Sequence, residues 1–133
     1  MDDILGQKTA ELMSGDEPTR CAAAAWLAQH ADVAAPAAVA LARACAASDE
    51  IRDWATSALE SCGPPPVALL HELTHLLHDP HPDVSYWAAT LIGRLGQVAQ
   101  QAEAEVAACT ANSPHREVRR RAAWALEQIR RSA

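Results

Sequence analysis

Two stretches decide how this chain folds: DPHPDV at residues 79–84 and SPHREV at residues 113–118. Proline, histidine, an acidic residue and valine recur in the same order, 34 residues apart. The register extends backwards to Asp49-Glu50-Ile51-Arg52 and to Glu17-Pro18-Thr19-Arg20. The anchors Thr19, Ile51, Val84 and Val118 are thus spaced 32, 33 and 34 residues apart. Self-similarity at such a period marks stacked supersecondary units, none of which buries its apolar face alone.

The units agree beyond their anchors. Four positions on stands Ala23, Ala55, Ala88 or Ala122, and eight positions on stands Leu27, Leu59, Ile92 or Leu126. Positions zero, four and eight share one face of an α-helix. Each unit has a tryptophan nearby (Trp26, Trp54, Trp87, Trp124), and Trp54 and Trp87 share one register. These read as packing residues; an aromatic rim on a binding surface is the functional alternative.

Second helical segments are expected over residues 36–47, 66–78 and 98–111, and a capping helix near residues 2–14. Gly15, Gly63 and Gly96 fall where helices should stop. Asp16 is a candidate N-cap, and the Pro64-Pro65-Pro66 run re-enters a helix by way of first-turn proline. No segment alternates with the period of two that a strand requires. The order is cap, A1, B1, A2, B2, A3, B3, A4, or eight helices. One domain over residues 1–133 is expected, with a cap at 1–15 and repeats starting near 16, 49, 82 and 115.

Composition agrees. Half of the 133 residues are hydrophobic, yet there is no phenylalanine and only one tyrosine. Alanine, the best helix former, supplies much of the apolar content. The start, Met1-Asp2-Asp3, lacks the layout of a secretory signal. The alanine-rich run near 33–47 is interrupted by Pro36 and Arg43, so no membrane span is expected. A soluble, cytoplasmic protein follows. Cys21, Cys45, Cys62 and Cys109 form no C-x-x-C pair and read as small buried hydrophobes.

The best copy, Asp83-Val84-Ser85-Tyr86-Trp87-Ala88-Ala89-Thr90-Leu91-Ile92-Gly93-Arg94-Leu95-Gly96, resembles the HEAT repeat. It is closest to the short HEAT-like form first named from phycobilin lyases. The resemblance covers nearly the whole chain from Asp16. It departs from the pattern at Ser85, where arginine is usual, and at Thr19, where valine is usual. It implies a right-handed α-solenoid of about three and a half helical hairpins. It also implies a non-enzymatic module that presents a concave helical surface to a macromolecular partner. Chromophore lyase activity is a family association that no residue here supports specifically.

Residues 71–75, HELTH, match the H-E-x-x-H pattern of zinc metalloproteases, and His78 follows. With His71 at zero, His75 falls near 40° and His78 near 340°, at about 100° per residue. Leu69, Leu70, Leu73, Leu76 and Leu77 fall at roughly 140–260° by the same geometry. The histidines therefore form a stripe opposite the leucines, with Glu72 on its edge. A catalytic zinc needs three protein ligands in a dry cleft, so ligands that point away from the core weigh against a hydrolase. A shared metal ion on His71, His75 and His78 remains an alternative. No metal and no cofactor are expected. The resemblance implies that the second helix of each pair lines the concave side. His71, Glu72, His75 and His78 would then face a partner, with Arg43 on the first B helix and Gln100, Gln101, Glu103 and Glu105 on the third. His81 and His115 read as helix-start residues, and Asp83 and Glu117 as first-turn acids that favour the helix dipole.

Charge is uneven along the chain. Residues 1–110 hold fifteen acids against five bases, and residues 111–133 hold two acids against six arginines. Arg116, Arg119, Arg120, Arg121, Arg130 and Arg131 would serve as a basic patch for nucleic acid or as a solubilising end cap. The acidic body, with Lys8 as its one lysine, favours the cap. A protein partner of unknown identity is expected, rather than nucleic acid or a membrane. The chain ends on an A helix, which suggests a monomer or a weak dimer through the C-terminal end.

Overall fold

The computed structural model describes residues 2–131, all of whose regular structure is helical. Eight α-helices occur in the expected order: α1 (Asp2–Ser14), α2 (Glu17–Gln29), α3 (Ala38–Ala44), α4 (Asp49–Ser61), α5 (Leu70–Leu76), α6 (Pro82–Leu95), α7 (Glu103–Asn112) and α8 (Arg116–Arg130). Stacked helical hairpins of this kind are the α-solenoid architecture. The chain divides into two compact units, Met1–Gly63 and Pro64–Ala133. In the first, α2 packs against α1 and α4, and α3 against α1 and α4. In the second, α6 and α8 lie side by side, α5 packs on α6, and α7 on α8.

The repeat positions fill the cores. Ala23, Ala55, Ala88 and Ala122 are fully buried, as are Leu27, Leu59 and Ile92. Leu126, on α8, is only half-buried. Alanine at the fourth position lets neighbouring helices approach closely. The closest approach is at Gly93, where any β-carbon would overlap the six-membered ring of Trp124. The tryptophans are not equivalent: Trp87 is buried, while Trp26, Trp54 and Trp124 are half-buried.

Helix starts follow from capping. Asp16 accepts the Thr19 amide at 3.0 Å, and Ser48 takes the same role toward Ile51 at 3.5 Å. The His81 ring accepts the Asp83 amide at 3.2 Å and so caps α6. His115 stands at the matching position of α8 without a side-chain cap. Gly63 and Gly96 end their helices at φ +74° and +62°, a left-handed region open to glycine at little cost.

The B segments are shorter as α-helices than the sequence suggests. Ala35–Ala37, Val67–Leu69 and Gly96–Ala102 are 3-10 turns that lead into α3, α5 and α7. None of the three α-helices has a side-chain N-cap, and a tighter turn is the usual substitute for a missing cap.

The departure at Ser85 has a structural counterpart. Its buried hydroxyl donates to the Asp79 carbonyl at 2.7 Å. Arg119, at the same repeat position, donates its guanidinium to the equivalent Ser113 carbonyl, also at 2.7 Å. One loop carbonyl is therefore satisfied in both repeats by different chemistry. Among the described residues, no buried side-chain nitrogen or oxygen lacks a hydrogen-bond partner.

Cys45, Cys62 and Cys109 are buried, and Cys21 is half-buried. Burial pushes the Cys109 thiol above its ordinary range, which suppresses the reactive thiolate.

Candidate partner-binding face

The α5 helix sorts its side chains by angle. Leu70, Leu73, Leu76 and the following Leu77 are buried, while His71, Glu72, His75 and His78 are exposed. The leucines anchor the helix to the second unit, and that anchoring fixes the outward direction of the imidazoles. His71 and His75, one turn apart, meet edge to face with ring centroids 4.8 Å apart. His78 reaches across to α7, where its Nε2 lies 3.0 Å from Glu105 Oε1.

His71, Thr74, His75, His78 and Glu105 together line an open cleft of about 260 Å³ between α5 and α7. Of the residues expected on this face, His71, His75, His78 and Glu105 are brought together. Glu72 and Gln101 are exposed outside the cleft's lining. Gln100 and Gln101 sit in the 3-10 turn before α7 rather than on that helix. Glu103 accepts a 2.7 Å bond from Arg130 of α8 and so is drawn toward α8. Arg43 is exposed in the last turn of α3, within the first unit. Thr74 was not anticipated. Its Oγ1 donates to the Leu70 carbonyl at 2.8 Å, a bond that hides its polarity from any periodicity argument.

The HELTH helix does not fit a catalytic metal. His71 and His75 face solvent, His78 is turned to Glu105, and Glu72 lies outside their cleft. Among the described residues, no group of three or more His, Cys, Asp or Glu side chains is placed to hold a metal ion. A zinc hydrolase needs three converging ligands and an enclosed open position, and this exposed face supplies neither.

The arginines do not form one patch. Arg130 pairs with Glu103, and Arg119 is spent on the Ser113 carbonyl. Arg121 lies between two rings, 5.0 Å from Tyr86 and 4.9 Å from Trp124 at their centroids. It also donates to the Tyr86 hydroxyl at 2.8 Å. Arg116, Arg120 and Arg131 are exposed. The outward side of α8 carries Arg120, Ala123, Glu127 and Arg130. It is a mixed polar surface, with half-buried Leu126 beside it.

Helical hairpins packed side by side define a repeat protein of the α-solenoid class. Within that class, the family model for HEAT repeats matches residues 70–133, just under half of the chain. The crystal structure of an engineered protein is similar in fold, with a TM-score of 0.55 and 22% sequence identity over 97% of this chain. The chain spans 63% of that protein's length. No curated protein matches the chain. No helix among the described residues is long and apolar enough to cross a membrane.

Proposed function

We propose that this protein is a non-catalytic binding module that presents the α5–α7 face to a protein partner. The observation that carries the reading is the cleft formed by His71, Thr74, His75, His78 and Glu105, held above a floor of buried leucines. HEAT repeats generally serve protein interaction, and the match over residues 70–133 includes this face. Its histidines carry donors, acceptors and ring faces on a rigid helix, which keeps the entropy cost of binding low. Exposed Glu72 and Gln101 are assigned to the same face, and exposed Arg43 is a separate candidate contact on α3 in the first unit.

The test is affinity purification from the native host with the wild-type chain and a His71→Ala/His75→Ala/Glu105→Gln variant. A partner recovered by the first and lost by the second, with both equally folded by circular dichroism, supports the reading. Equal recovery by both would remove this face from the interaction.

A further inference from the structure

A second cleft lies between α6 and α8. Tyr86, Glu117, Arg120, Arg121 and Trp124 line a space of about 270 Å³. The repeat register makes its composition unusual. Three positions after the anchor, the second and third units hold Trp54 and Trp87, but the last unit holds Arg121. Its tryptophan has moved one helical turn on, to Trp124, which lies against Gly93. The exchange leaves a guanidinium between two aromatic rings where the second and third units have an indole.

This arrangement is built and fixed. Arg121 is half-buried, stacked over Tyr86 and Trp124, and oriented by its 2.8 Å bond to the Tyr86 hydroxyl. That bond uses one of five guanidinium donors. Stacking removes side-chain freedom before any ligand arrives, so less is lost on binding. Arg120, next in the lining, is exposed. Tryptophan, tyrosine and arginine are also the residues most enriched at the energetic centres of interfaces.

We infer that the Tyr86–Arg121–Trp124 cleft is a second docking point, which takes a carboxylate side chain from an acidic segment of a protein partner. The carboxylate would lie in the fork of Arg121, with Arg120 adding charge from the rim and the aromatic rings covering the segment's aliphatic stem. Charge complementarity selects this occupant: two arginines face the cleft against the single carboxylate of Glu117. A nucleic-acid backbone fits less well, because Arg119 and Arg130 of the same helix are engaged by Ser113 and Glu103, whereas phosphate tracking needs several available cations. The inference is independent of the histidine face, which lies between α5 and α7.

The test is an NMR titration of the full chain with capped hexaglutamate, with hexalysine and oligothymidine as comparisons. Saturable shifts are expected at the Trp124 indole and the Arg121 side chain with hexaglutamate, and they should shrink as salt is raised. Arg121→Lys keeps the charge but loses the fork and should weaken binding by about tenfold. Arg120→Gln alters only an exposed side chain and should weaken it by about threefold; it decides the matter if Arg121→Lys fails to fold. His71→Ala/His75→Ala should leave the titration unchanged. The inference is overturned if hexaglutamate produces no shift at low salt, or if Arg120→Gln binds as well as wild type. Equal or tighter binding of hexalysine or oligothymidine would also overturn it.

Discussion

Gly93 and Gly6 make a matched pair, because both sit inside helices and the structure assigns their alanine variants opposite signs. A β-carbon at Gly6, an exposed position of α1, meets nothing within 4 Å. Gly6→Ala should therefore show the helix-propensity gain alone, about 1 kcal/mol of added stability. A β-carbon at Gly93 would overlap the Trp124 ring, with Cε3 at 2.9 Å as well. The same propensity gain is available there, but it is opposed by overpacking of about 1–3 kcal/mol. The ring cannot swing away freely, because Arg121 stacks on it and ties it to Tyr86. Gly93→Ala should thus be net destabilising, by up to about 2 kcal/mol. Urea unfolding followed by circular dichroism reads both variants. In a Trp124→Ala background the obstruction is gone, and Gly93→Ala should become neutral or stabilising. If Gly93→Ala stabilises the wild-type chain as much as Gly6→Ala does, the packing argument for α6 and α8 is wrong.

Other outcomes follow from single contacts. Leu73→Ala removes a fully buried side chain beneath the histidine face and should cost about 2–5 kcal/mol in the same assay. The Thr19 side-chain and backbone hydrogen bonds hold the Asp16 carboxyl below its ordinary pKa of 3.8. Its stabilising contribution is therefore present above that value and lost as pH falls through the lowered one, so wild type and Asp16→Ala should differ at neutral pH and converge in strong acid. The His78–Glu105 pair has side chains 58% and 46% exposed; a double-mutant cycle should find a coupling below about 1 kcal/mol, smaller still in high salt. Cys109, buried and with its thiol pKa raised, should resist iodoacetamide at neutral pH and become labelled only on unfolding, as mass spectrometry of the cysteine peptides would show.

Sequence reading reached furthest where a residue's role depends on its own helix. The alanines at the fourth repeat position, the leucines of α5 and the outward imidazoles all follow from a turn of about 100° per residue. Asp16 and His81 were legible as helix starts because a cap acts over two or three positions. What sequence missed depends on distant partners. Glu103 looked like a face residue on α7, but Arg130, 27 residues on, draws it toward α8. Arg121 looked like one of six interchangeable arginines until Tyr86, 35 residues earlier, gave it a fixed place. The 3-10 entries to α3 and α5 escaped notice because the apolar run continues through them, and periodicity alone does not separate the two helix types over three residues; the seven-residue entry to α7, GQVAQQA, carries no periodic signal of either kind.

The shared carbonyl contact of Ser85 and Arg119 separates the geometry of a loop from its electric character. A hydroxyl and a guanidinium hold the turn in the same place, yet one adds no charge and the other adds a full positive one. These two repeats thereby differ in ionic balance while keeping the same loop contact. A neighbouring pair of hairpins built this way can differ by a full charge at one position while the turn that joins them keeps its bond.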